Sequence, residues 1–145
     1  MTTIAWDGKT LATDSLNTAD GIIISSTAQK IFLDIGDYVA VAISGDTAAM
    51  IKFVEWLKEK QGKHPKADGA AFCVDRTGEL SRVFPSDEEL QTEIDPGFIA
   101  GGTGWEIALG ALDAGKTAVE AVKIAIGRDV YSGGEIQSYT FNSEG

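Results

Sequence analysis

The stretch Val39-Ala40-Val41-Ala42-Ile43-Ser44-Gly45-Asp46-Thr47-Ala48-Ala49-Met50-Ile51-Lys52-Phe53-Val54-Glu55-Trp56-Leu57 carries two hydrophobic periods in succession. Its first five residues are all apolar, which predicts a strand covered on both faces. Met50, Phe53, Val54 and Leu57 then fall at i, i+3, i+4 and i+7, the stripe of an amphipathic helix. Asp46 or Thr47 caps its start, and Gln61-Gly62-Lys63-His64-Pro65 ends it. Upstream, the chain reads as strand almost throughout. Residues 2–6 and 11–13 flank the turn Asp7-Gly8-Lys9, residues 21–26 hold three consecutive isoleucines, and residues 30–33 and 38–44 flank Asp34-Ile35-Gly36-Asp37. Downstream, residues 70–74 and 80–84 flank Asp75-Arg76-Thr77-Gly78, and the acidic residues 85–93 read as an exposed loop. A short strand over 98–100 runs into Gly101-Gly102-Thr103-Gly104. A helix follows over 105–114, stopped by Gly115. Thr117 and Glu120 form a capping box opening a second helix, with Ala118, Val122, Ala125 and Ile126 as its apolar stripe. Residues 136–141 give a last strand. Strands and helices come in runs, without strict alternation, so the expected class is α+β with largely antiparallel sheets, in one domain over residues 1–145.

The composition narrows the function. Across 145 residues, 22 Asp and Glu stand against 12 Lys and Arg, a net charge of −10. Nucleic-acid binding draws on Lys and Arg to displace counterions, and anionic membranes attract the same residues, so neither partner is expected. A single cysteine makes no internal disulfide, and with a single histidine it builds no His/Cys zinc site. No P-loop and no G-x-S-x-G elbow is present. No cofactor or metal is therefore expected. His64 sits beside Pro65 among lysines and reads as a loop residue, and Cys73 reads as a buried, inert thiol. No apolar run approaches the length of a membrane span, and the first residues show no signal-peptide pattern, so the default expectation is a cytoplasmic protein.

Thr2 stands directly after the initiator methionine. A small side chain there permits methionine removal, which would leave Thr2 with a hydroxyl nucleophile and a free α-amine base in one residue. An α-amine titrating near 7.7–8 suits base work at neutral pH. Taken singly, Asp14 reads as a strand-end carboxylate and Lys30 as a solvated lysine.

Together the residues say more. Thr2-Thr3-Ile4-Ala5, Leu11-Ala12-Thr13-Asp14-Ser15, Gln29-Lys30-Ile31 and Ser44-Gly45-Asp46-Thr47-Ala48 resemble, in order and spacing, the N-terminal half of proteasome β-subunits and their bacterial HslV-type relatives. Gly102-Thr103-Gly104 is similar to that family's G-S-G segment. Arg128-Asp129-Val130-Tyr131-Ser132-Gly133-Gly134, with Tyr139 beyond, is similar to its R-D-A-Y-S-G-G segment.

The resemblance implies a four-layer αββα sandwich of the N-terminal-nucleophile hydrolase type and threonine peptidase chemistry. Thr2 would be nucleophile and, through its amine, base. Lys30, held by Asp14, would lower the proton affinity of that hydroxyl and amine. The Gly45 N–H would form the oxyanion hole. Asp129, Ser132 and the Thr103 hydroxyl would support the amine, with Gly133 and Gly134 letting their turn approach. Asn17, Ala28, Phe32, Ile43, Thr47 and Ile51 would line a mainly apolar first specificity pocket suited to neutral side chains. The Thr18 backbone would pair with an extended peptide.

The resemblance also implies a homo-oligomeric ring, a peptide or unfolded-protein substrate and, as a candidate partner, an ATP-dependent unfoldase. Three departures stand out. One helix is missing before residue 70, Thr103 replaces a serine, and Asp46 and Thr47 replace small residues, narrowing or recharging the pocket. The alternatives are an inactive assembly subunit and an amidase of small non-peptide amides.

Overall fold

A computed structural model describes residues 2–94 and 97–142. Its elements are β1 (Thr3–Trp6), β2 (Thr10–Thr13), β3 (Asn17–Ala19), β4 (Ile22–Ser25), β5 (Ile31–Ile35), β6 (Tyr38–Gly45), α1 (Thr47–Leu57), β7 (Gly69–Asp75), β8 (Leu80–Phe84), β9 (Gln91–Ile94), β10 (Ile99–Gly102), α2 (Trp105–Asp113), α3 (Ala118–Ile126) and β11 (Gln137–Thr140). They form a four-stranded sheet in the order β10-β1-β2-β11, a five-stranded sheet in the order β5-β6-β7-β8-β9, and the separate pair β3-β4. Every pairing is antiparallel.

Side-chain alternation stacks these sheets. In β1, Ile4 and Trp6 point one way and Ala5 the other, since successive residues face opposite sides. Ile4, Trp6 and Leu11 meet Ala40, Ala42, Phe72 and Val74 between the two sheets. Bulk on one side opposes alanine on the other, so the layers interdigitate. The opposite face of the four-stranded sheet presents Ala5, Ala12 and Ala100 to the alanine-rich faces of α2 and α3. On the outer face of the five-stranded sheet, Val41, Ile43, Ala71 and Val83 pack against Met50, Phe53, Val54 and Leu57 of α1. The layers are thus helix, sheet, sheet, helix, the four-layer αββα sandwich that was expected. Among the described residues α1 alone covers the five-stranded sheet, and residues 58–68 run as turns and loop into β7.

Local chemistry places most boundaries where the sequence predicts them. Asp7 Oδ1 accepts the N–H groups of Lys9 and Thr10, closing the β1–β2 turn. Asp46 is the N-cap of α1, its carboxylate accepting the Ala49 N–H at 3.1 Å. Both halves of the Thr117–Glu120 capping box are formed.

Two elements differ from expectation. The end of the expected loop 85–93 instead enters β9 (Gln91–Ile94), an exposed edge strand whose Glu93 pairs with Arg82 directly across at 2.8 Å. A cross-strand ion pair on a polar edge leaves no hydrophobic alternation to read. Residues 17–19, unassigned from sequence, pair with β4.

One glycine locks the sandwich to its first strand. Gly102 has φ +81°, and a Cβ there would lie 2.0 Å from the Thr2 carbonyl oxygen. Gly102→Ala is expected to lose about 2–4 kcal/mol, combining left-handed strain with a backbone clash, as read by urea denaturation.

Candidate active site

The residues singled out by sequence sit at element ends that converge on one edge of the sandwich. Thr2 immediately precedes β1, Asp14 follows β2, Lys30 precedes β5, and Gly45 closes β6. Thr103 lies between β10 and α2, and Asp129, Ser132 and Gly133 lie between α3 and β11. Strand ends are fixed by the ladders behind them, so they place side chains more sharply than free loops do.

Asp14 is the anchor and is fully buried. Its Oδ1 accepts from the Thr3 N–H at 3.2 Å, the Thr2 hydroxyl at 3.1 Å and Lys30 Nζ at 2.8 Å. Its Oδ2 accepts from the N–H groups of Leu16 at 3.3 Å and Gly133 at 3.0 Å. A buried carboxylate survives only with such satisfaction. Lys30, 4% exposed, also donates to the Leu16 carbonyl at 2.6 Å and to Thr2 Oγ1. Burial holds the Lys30 ammonium below the ordinary lysine value, against the opposing hydrogen bond and charge of Asp14 and the charge of Asp129. A desolvated ammonium touching a threonine oxygen stabilises negative charge developing there.

A second network supports the backbone of the same residue. The Thr2 carbonyl accepts from the Gly104 N–H at 3.3 Å, and the Thr103 hydroxyl also lies 3.3 Å from it. Asp129 Oδ2 accepts the Thr103 and Ser132 hydroxyls, each at 2.6 Å, and its Oδ1 accepts the Tyr131 N–H. Burial raises the affinity of Asp129 for a proton, but these hydrogen bonds outweigh it and hold the carboxyl below the usual range. With the Ser132 proton committed to Asp129, the 2.7 Å contact between Ser132 Oγ and Thr3 Oγ1 is donated by Thr3. Gly134, with φ +76°, needs glycine because a Cβ would meet the Ser26 carbonyl at 2.4 Å, whereas a Cβ at Gly133 would come no closer than 3.4 Å to Leu16.

Thr2 and Lys30 open onto a cavity of about 1060 Å³. Asn17, Thr18, Ile43, Gly45 and Thr47 line it, as do Thr103 and Asp129. Thr47 donates to Asn17 Oδ1 at 3.2 Å, tying α1 to β3 across its side.

Ala28, Phe32 and Ile51, expected in the first specificity pocket, do not line this cavity. Phe32 lies opposite Val41 and packs into the core under α1. Ile51 follows the buried Met50 and is therefore turned away to solvent, at 40% exposure. Ala28 is held by backbone, its N–H donating to Ser15 and its carbonyl accepting from Gln137.

Sequence reasoning missed Gln137, whose Oε1 accepts the N–H groups of Lys30 and Ile31 and so orients the lysine segment. It also missed Asp68, Phe84, Trp105 and Tyr131 in the lining. The other nucleophile candidates are inert. Burial pushes the Cys73 thiol up to about 12. His64 is wedged between the carbonyls of Pro65 and Glu88 beside Phe53 and Trp56.

Comparison with known proteins bears on this arrangement. No family model matches the chain. It is 27% identical over 177 residues to a proteasome subunit beta of Methanocaldococcus fervens, covering 96% of this chain and 79% of that protein. It is also 27% identical over 174 residues to a proteasome subunit beta 1 of Thermococcus gammatolerans, covering 96% and 86%. Both alignments are longer than the 145-residue chain, so these relatives carry segments with no counterpart here. Among solved structures, eukaryotic HslV from Trypanosoma brucei matches at a TM-score of 0.69 with 20% identity, over 95% of this chain and 97% of that one. Thiobacillus denitrificans BPH in complex with epoxomicin matches at 0.68 with 19% identity, over 97% of both.

Proposed function

We infer that this chain, a member of the proteasome β/HslV-type family, is a threonine peptidase whose nucleophile is Thr2. The observation that carries the reading is the Thr2 hydroxyl, bonded to Lys30 and Asp14 on the wall of an open cavity.

Removal of Met1, which lies outside the described residues, frees the Thr2 amine. That amine takes the hydroxyl proton while Oγ1 attacks the carbonyl carbon of a peptide bond. Lys30 stabilises the forming alkoxide, and Asp14 holds Lys30 in place. The oxyanion of the tetrahedral intermediate rests on the Gly45 N–H. Collapse breaks the C–N bond, and the amine returns its proton to the leaving nitrogen. Water, activated by the same amine, then hydrolyses the Thr2 ester. Thr103, Asp129 and Ser132 fix the Thr2 backbone and amine, and the Thr18 backbone pairs with the extended substrate.

The peptidase works as a homo-oligomer on peptide or unfolded-protein chains, with an ATP-dependent unfoldase as the candidate feeder. Support comes from Ile22, Ile23 and Ile24, which are 60–65% exposed on the β3-β4 pair. Large apolar side chains left exposed on both faces of a two-stranded ribbon suit a contact with another chain. Among the described residues no helix is long and apolar enough to cross a membrane.

The test is intact mass before and after a peptide epoxyketone, whose double addition needs a hydroxyl and a free amine on one residue. The expected result is loss of one methionine and one stoichiometric adduct. A methionine-free chain with no adduct overturns the reading in favour of an inactive assembly subunit. Cleavage of small amides but not of peptides moves it to an amidase.

A further inference from the structure

The cavity is not the neutral pocket its sequence positions suggest. Ile43, Ala48, Ala70 and Phe84 contribute apolar wall, and Asp46 and Asp68 stand in the same lining. The β6–β7 register sets the two residues side by side on the backbone: Gly45 pairs with Gly69, and the Asp46 N–H donates to the Asp68 carbonyl at 2.9 Å. The two strand ends touch at their closest approach. A Cβ at Gly45 would lie 2.2 Å from the Asp68 carbonyl oxygen, and one at Gly69 would lie 2.1 Å from that of Ser44. The carboxylates are therefore mounted on backbone that cannot slide apart.

Asp46 keeps its cap bond to the Ala49 N–H, but no cation among the described residues neutralises the pair. Among the described residues neither carboxylate joins an ion pair. Lys63 and Lys66, the cations next to Asp68 along the chain, both pair with Glu88. Lys30, the cation in the lining, is buried and committed to Asp14. Like charges on adjacent strand ends repel, and a net charge of −10 adds to the field.

We propose, on the basis of the peptidase reading, that this cavity accepts a lysine or arginine side chain of the substrate, its cationic head held by Asp46 and Asp68. Apolar walls ending in carboxylates match that side chain: the methylene stem packs against Ile43, Ala48, Ala70 and Phe84, and the charge reaches the acidic end. A glutamate would meet two carboxylates, and a leucine would gain only the apolar wall.

The experiment uses fluorogenic tetrapeptides identical except for Lys, Arg, Leu or Glu before the scissile bond. The Lys and Arg peptides are expected to give kcat/KM about tenfold above Leu, an effect between those of an exposed and a buried ion pair. Added salt narrows that advantage. Asp68→Asn and Asp46→Asn each reduce the Lys-to-Leu ratio, the second while keeping the helix cap. Leu or Glu peptides cleaved as well as Lys peptides overturn the proposal and leave the peptidase intact. If nothing is cleaved, the peptidase reading falls, and fluorescence anisotropy of the same peptides decides the pocket: tighter Lys and Arg binding supports it, and equal affinities overturn it.

Discussion

Thr2→Ala is expected to abolish the proposed peptide cleavage and epoxyketone labelling, with at least about a thousandfold loss of kcat/KM, the scale seen when a nucleophile is removed. The fold survives the change. Lys30 keeps the Asp14 carboxylate and the Leu16 carbonyl as acceptors, so no buried charge is orphaned. The lost hydroxyl bonds cost about 1 kcal/mol. Thermal denaturation followed by circular dichroism is expected to show only a small shift. Thr2→Ser restores measurable turnover, because the hydroxyl and the amine are both present. Wild-type turnover in Thr2→Ala would place the nucleophile elsewhere.

Asp14→Asn produces the largest loss of stability, about 3–5 kcal/mol, the range for removing one partner of a buried ion pair. Asparagine keeps one acceptor oxygen where aspartate offers two, and its amide would face N–H donors from Leu16 and Gly133. Lys30 is left charged and buried without a counterion. Burial already lowers its proton affinity, and Asp14 supplies both the hydrogen bond and the nearest charge opposing that fall. The variant therefore lowers it further. Between the folded value and the ordinary lysine value of 10.5, the unfolded chain binds a proton the folded chain has released. Stability then rises with pH across that window. Urea denaturation from neutral pH to pH 10 checks this, and a variant as stable as wild type at every pH would remove Asp14 from its anchoring place.

The α+β class was legible because the strands and helices advertise their periods, whereas the stacking into a four-layer sandwich came from the resemblance. The switch at Ser44-Gly45-Asp46 from a continuous apolar run to an i, i+3, i+4 stripe is where β6 hands over to α1. Thr2, Asp14, Lys30 and Asp129 could be selected because their order along the chain resembles a known pattern, and they do meet. The pocket was harder. Phe32 points under α1 because it pairs with Val41, a register invisible in a list of residues. Asp68 precedes an apolar strand like many loop carboxylates. It joins the cavity only because Gly69 pairs with Gly45 across the sheet. β9 escaped notice since its pairing rests on an edge charge, not on alternation.

The ladder that binds β1 between β2 and β10 also orders events during synthesis. β1 is made early, but its second neighbouring strand spans residues 99–102. The N–H that completes the Asp14 shell belongs to Gly133, 119 residues later. At the usual rate of translation that interval is roughly 6–24 s. Throughout it Thr2, Asp14 and Lys30 lack the last backbone donor of their cluster. The shell around Asp14 is thus completed only with the turn before the final strand, so the topology itself sets when this cluster assembles.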